Sequence, residues 1–203
     1  MPFLRDPCDG TDAAGGHPGR ARRRGDRSKV TAVSLRALVF GYGNPGRLDD
    51  GLGPAFAQAL ADRQLEGVRT DAGYQLSVED AAALAACDLV IFADAAVQGA
   101  EPFFLEAIEP RAALSFSSHS IEPSALLALG EELFGARPRA WALGIRGYHF
   151  NEFGERLSAA AEANLAAALE FFEGWHRAGF LPPTEEGERV DHVGAQGDDS
   201  LRG

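Results

Sequence analysis

Ala37-Leu38-Val39-Phe40 runs into Gly41-Tyr42-Gly43-Asn44-Pro45-Gly46-Arg47-Leu48-Asp49-Asp50-Gly51-Leu52-Gly53, and the segment from Pro54 to Ala61 then has a helical pattern. An apolar run, a glycine-rich turn and a helix follow one another, with two adjacent carboxylates at the turn. Glycine allows backbone to approach backbone or ligand at angles that other residues resist. A phosphate cradle places amide donors or a basic side chain at such a turn. Here Asp49 and Asp50 would repel phosphate and attract a cation, so the turn reads as part of a metal site.

Working outward, strands and helices alternate. The sequence predicts strands over 36–42, Val68–Tyr74, Asp88–Asp94, Phe103–Ile108 and Ala140–Ile145, and helices over 53–63, from Ser77 to about Ala86, over Ile121–Phe134 and from Ser158 to about His176. Ser77 with Asp80 three residues on has the form of a capping box. The run from Asp88 to Asp94 is apolar between its two acids, as expected of a strand buried on both faces. The pattern implies an α/β fold: a three-layer α/β/α sandwich around a mostly parallel sheet. Ligands of such sheets bind beyond the carboxyl ends of the strands. Asp50 and Asp94 are 44 residues apart in sequence, yet both are expected at strand ends along one edge.

The 203 residues, 45% of them hydrophobic, suit one domain, expected over residues 34–182. Residues 1–33 carry an excess of basic over acidic groups without apolar period and are expected to be a disordered extension. Residues 183–203 are expected to be a disordered acidic tail. A net charge of −11 argues against nucleic acid as the partner. Two cysteines, Cys8 and Cys87, provide neither a disulfide framework nor a paired-cysteine metal motif, and Cys87 reads as a small core residue. No apolar run approaches the roughly 18 residues of a membrane span. Without an apolar signal core, a cytoplasmic, monomeric protein is the expectation.

Two carboxylates invite an imidazole to complete a metal site. Of five histidines, His17 and His192 fall in the terminal segments. His176 falls near a helix C-terminus, where its charge is favourable. His149, between Tyr148 and Phe150, reads as a packed, hydrogen-bonded side chain. His119, on the polar stretch before the helix at Ile121, is the candidate third ligand. Asp49 is read either as orienting a ligand or taking a proton, or as capping the helix after Gly51. Asn44 reads as tying the turn together, with Gly43, Gly51 and Gly53 as its structural glycines.

The turn Gly43-Asn44-Pro45-Gly46-Arg47-Leu48-Asp49-Asp50-Gly51-Leu52-Gly53, the strand end Ile91-Phe92-Ala93-Asp94-Ala95 and the pair Ser118-His119 resemble the hydrogenase maturation proteases, in order and spacing over nearly all of residues 36–175. The resemblance implies an α/β/α hydrolase, an aspartyl-type endopeptidase. Its partner would be the precursor of a nickel–iron hydrogenase large subunit, from which it removes a C-terminal extension after nickel insertion. It also implies Asp50, Asp94 and His119 as metal-binding residues, with Asp49, Asp50 and Asp94 as catalytic candidates. The nickel would arrive with the substrate, and no organic cofactor is expected. Asp50 stands where some members have Glu. Gly73-Tyr74-Gln75-Leu76 and Arg146-Gly147-Tyr148-His149-Phe150 depart from the better-known pattern, which bears on the particular substrate.

Other readings lead elsewhere. The motif from Gly41 to Gly46 also resembles the opening of peptidyl-tRNA hydrolases, but the acids and the overall charge oppose tRNA binding. A zinc peptidase with Asp49 as base and a nickel-handling protein without catalysis share the same acids. The letters of a dinucleotide-binding turn are present, but Pro45 and the acids spoil its phosphate role.

Overall fold

The computed structural model describes residues 35–112 and 121–182. Five strands and four helices follow one another: β1 Ala37–Tyr42, α1 Leu52–Arg63, β2 Val68–Gly73, α2 Ala81–Leu84, β3 Leu89–Ala96, β4 Phe103–Ala107, α3 Pro123–Phe134, β5 Arg139–Arg146 and α4 Ala159–Arg177. Single 3-10 turns at Leu48–Gly51 and Val78–Asp80 lead into α1 and α2. The helix expected from Ser77 to Ala86 is therefore a 3-10 turn and one α-turn. Its capping box does form: Asp80 Oδ2 accepts from the Ser77 N–H at 2.7 Å and from Ser77 Oγ at 3.1 Å. The strand expected to end at Asp94 continues to Ala96, because β5 pairs with it through Arg146.

The strand order is β2-β1-β3-β5-β4, parallel throughout except for β4, which lies antiparallel against β5 at one edge. This is the expected mostly parallel sheet. Period-two alternation divides each central strand between two apolar layers. Val39, Ile91, Leu143 and Ile145 pack with Leu52, Phe56 and Leu60 of α1 and Ala168, Leu169 and Phe172 of α4. Leu38, Phe40, Val90 and Phe92 pack on the opposite side with Ala81 and Leu84 of α2 and Leu126 and Leu127 of α3. β3 is buried on both sides from Leu89 to Ala93, as its uninterrupted apolar run predicts. Cys87 is the expected buried residue of the second layer, and burial pushes its thiol up to about 11.

α1 approaches the sheet closely. A Cβ on Gly53 would lie 2.3 Å from the Tyr42 carbonyl oxygen and 2.5 Å from that of Ala93. Only glycine permits this contact, which sets the first turn of α1 directly on the carboxyl ends of β1 and β3. No helix among the described residues is long and apolar enough to cross a membrane.

Candidate active site

The turn after β1 is held by its own polar groups. Asn44 Oδ1 accepts from the Gly46 N–H at 2.9 Å, and the Asn44 N–H donates to Asp50 Oδ2 at 3.1 Å. Asn44 therefore ties the turn together, as expected, and also orients Asp50. Gly43 has φ +137°, and a Cβ there would lie 2.1 Å from the Asp50 carbonyl oxygen. Gly51 packs against Pro45, where a Cβ would come within 2.9 Å of the proline Cα.

Asp94 occupies the neighbouring strand. β1 and β3 are adjacent and parallel, with Gly41 opposite Ala93, so the turn carrying Asp50 and the end of β3 carrying Asp94 open onto one edge. The two acids do converge. Asp94 is partly buried, and its Oδ1 accepts from the Ala95 N–H at 2.7 Å. Burial pushes its carboxyl up to about 6, the Ala95 hydrogen bond opposes this, and the charges of Asp50 and Glu122 add to the rise. The carboxyl can therefore hold or release a proton near neutrality.

Asp49 has a different environment from its neighbour. It is wholly buried, and its carboxylate accepts four hydrogen bonds: from the N–H groups of Tyr148 at 2.9 Å, His149 at 3.0 Å and Ser158 at 2.7 Å, and from Ser158 Oγ at 2.8 Å. Burial alone would raise its pKa, but these bonds to the ionised form outweigh that and hold it below the usual carboxylate range. It does not cap the following helix. Gly51 is the N-cap of α1, with no side-chain hydrogen bond. Asp49 instead fastens the β5–α4 connection to the turn. Backbone bonds from Leu48 N to Gly154 O at 2.9 Å and from Gly154 N to Gly46 O at 3.0 Å continue the fastening.

The remaining histidines separate. His119 lies outside the described residues. His149 is exposed and not packed: Asp49 holds its backbone on both sides and leaves the ring toward solvent. His176 stands in the last turn of α4, as expected, with Nε2 donating to the Glu66 carbonyl at 2.8 Å. Among the described residues no three His, Cys, Asp or Glu side chains cluster closely enough to hold a metal ion. Asp50 and Asp94 therefore meet at one edge of the sheet with no third such donor beside them among the described residues.

Sequence reasoning overlooked Tyr42 and Glu122. Burial first, then the charges of Asp94 and Glu122, raise the Tyr42 phenol above its ordinary value. The strand period did place Tyr42 on the same side as Phe40. For Glu122, directly before Pro123, there was no signal.

A three-layer α/β/α protein with paired acids beyond adjacent parallel strands defines a recognisable class. No protein-family model and no curated protein matches the chain. Among solved structures, it shares the fold of hydrogenase maturation proteases. The NiFe hydrogenase maturation protease HycI from Thermococcus kodakarensis matches with a TM-score of 0.55 and 21% identity, over 70% of this chain and 93% of that one. The hydrogenase maturating endopeptidase HybD from E. coli matches with a TM-score of 0.55 and 22% identity, over 71% and 94% respectively. A hydrogenase 2 maturation peptidase from a Thaumarchaeota archaeon matches with a TM-score of 0.51 and 24% identity, over 72% and 99%.

Proposed function

We propose that this protein is an endopeptidase that removes the C-terminal extension of a nickel–iron hydrogenase large-subunit precursor after nickel insertion, acting as a monomer in the cytoplasm. The observation that carries the reading is the convergence of Asp50 and Asp94 beyond β1 and β3, in a fold shared with proteins named for this activity. The motif series from Gly43 to His119 supports it.

In this reading the nickel belongs to the substrate. Two carboxylates and the imidazole of His119 offer oxygen and nitrogen donors without a thiolate, a set suited to a divalent ion already partly coordinated elsewhere. The precursor's ion, gripped by Asp50, Asp94 and His119, places the scissile segment in the cleft. Before the ion arrives, burial and the charge of Asp50 favour the protonated Asp94 carboxyl, which gives up its proton to grip the ion. Asp49 holds the turn that presents Asp50.

The test is processing of a purified precursor in nickel-loaded and nickel-free forms. Cleavage of the loaded form alone is expected. Efficient cleavage of the nickel-free form would favour a conventional zinc peptidase, and cleavage of neither would leave a nickel-handling protein.

A further inference from the structure

Tyr42 stands at the middle of Gly41-Tyr42-Gly43, and the nickel-gripping residues leave it without a role. The rings of Phe40 on β1 and Phe92 on β3 stack with centroids 5.7 Å apart, on the side of the sheet covered by α2 and α3. Tyr42 and Asp94 each lie two residues beyond that pair. Side chains alternate along a strand, so both point to the same side and stand next to each other at its open end. The Tyr42 ring packs against the apolar layer beneath.

On the other side of β3, Asp94 is paired with Gly144. The ring of Phe104 fills the space a side chain there would need: a Cβ on Gly144 would lie 2.2 Å from Phe104 Cζ. The row across the sheet end is therefore Tyr42, Asp94, Gly144, Phe104. The hydroxyl of Tyr42 is the neutral polar group in that row. Among the described residues it donates to no acceptor, and a phenol is a neutral O–H donor at neutral pH, so it presents a proton.

Resting on the endopeptidase reading, we propose that Tyr42 is a further residue of the site, its hydroxyl donating a hydrogen bond to a backbone carbonyl oxygen of the precursor segment held beside Asp94. Acids and imidazole grip the ion, but none of them is a permanently neutral donor. A polypeptide lying in the cleft presents carbonyl oxygens that need one. Such a bond strengthens as negative charge develops on a carbonyl under attack, so its removal slows turnover more than it weakens binding.

The experiment is steady-state processing of nickel-loaded precursor by wild type, Tyr42→Phe and Tyr42→Leu. Tyr42→Phe deletes one oxygen atom and keeps the ring against the apolar layer, so thermal unfolding stays at the wild-type temperature. Its kcat is expected to fall about tenfold or more with KM within about twofold. Tyr42→Leu removes ring and hydroxyl together and is expected to lose at least as much turnover. The loss in Tyr42→Phe, which keeps the ring, assigns the effect to the hydroxyl, and wild-type turnover in Tyr42→Leu would overturn the role of Tyr42. Wild-type kcat in Tyr42→Phe overturns the donor role and leaves the endopeptidase reading standing. Absence of processing by the wild type overturns both.

Discussion

Asp49 and Ser158, 109 residues apart in the chain, are joined twice: Asp49 Oδ1 accepts from the Ser158 N–H at 2.7 Å, and Asp49 Oδ2 accepts from Ser158 Oγ at 2.8 Å. Ser158 Oγ also accepts from the Ala161 N–H at 3.2 Å as the N-cap of α4. One serine therefore starts the last helix and anchors it to the turn carrying Asp50. The site depends on this tie, because α4 and the β5–α4 connection hold the turn from outside.

Replacing Asp49 with Ala is expected to destabilise the fold by about 3 kcal/mol, since three backbone N–H groups and the Ser158 hydroxyl lose their buried acceptor together. Asp49→Asn is expected to cost a similar amount, because its amide directs donors at donors. Urea unfolding measures both. The pH dependence has a definite sign. The folded-state pKa of Asp49 is depressed, so its contribution is present at neutral pH and disappears as pH falls through the folded value. The gap between wild type and Asp49→Asn should therefore narrow in acid.

Asp94 has the opposite sign. Its folded value, pushed up to about 6, lies above the ordinary 3.8, so the stability associated with its protonated form is present in acid and is lost as pH rises through 6. The metal-free Asp94→Asn protein should therefore melt higher than wild type at pH 7.5, and the difference should vanish near pH 4. Thermal unfolding across that range is the measurement. A constant difference at all pH values would show that packing, and not charge, separates the two.

Asp50→Ala, Asp94→Ala and His119→Ala are each expected to abolish processing of the nickel-loaded precursor while circular dichroism and melting show a folded protein. Each removes a donor to an ion that arrives with the substrate, so the fold does not depend on it. Wild-type processing by His119→Ala would remove that residue from the site.

Gly53→Ala is expected to destabilise the protein by about 3 kcal/mol or more, the range of overpacking against unyielding neighbours. The added methyl would meet the carbonyl oxygens of Tyr42 and Ala93, which belong to the central strands and cannot move aside. Gly174→Ala, with nothing within 4 Å of the added carbon, should instead leave stability the same or slightly higher. Thermal melting distinguishes the two.

The order of strands and helices, the buried character of β3, the capping box at Ser77 and the meeting of Asp50 with Asp94 were legible in the residues themselves. Each depends on short-range regularities: a period of two or 3.6, a cap three residues away, and the rule that parallel strands bring their carboxyl ends to one edge. The role of Asp49 was not legible, because its four donors belong to Tyr148, His149 and Ser158, brought back by the return of the chain after β5. The exposure of the His149 ring follows from the same contact. Tyr42 came beside Asp94 only through the register of β1 on β3, a choice made by packing between strands. Local sequence determined which groups stand at the strand ends. Only the tertiary structure decided their environments, burying Asp49 under four hydrogen bonds and leaving Asp94 partly buried among like charges, because burial and long-range donors exist only once the chain has closed on itself.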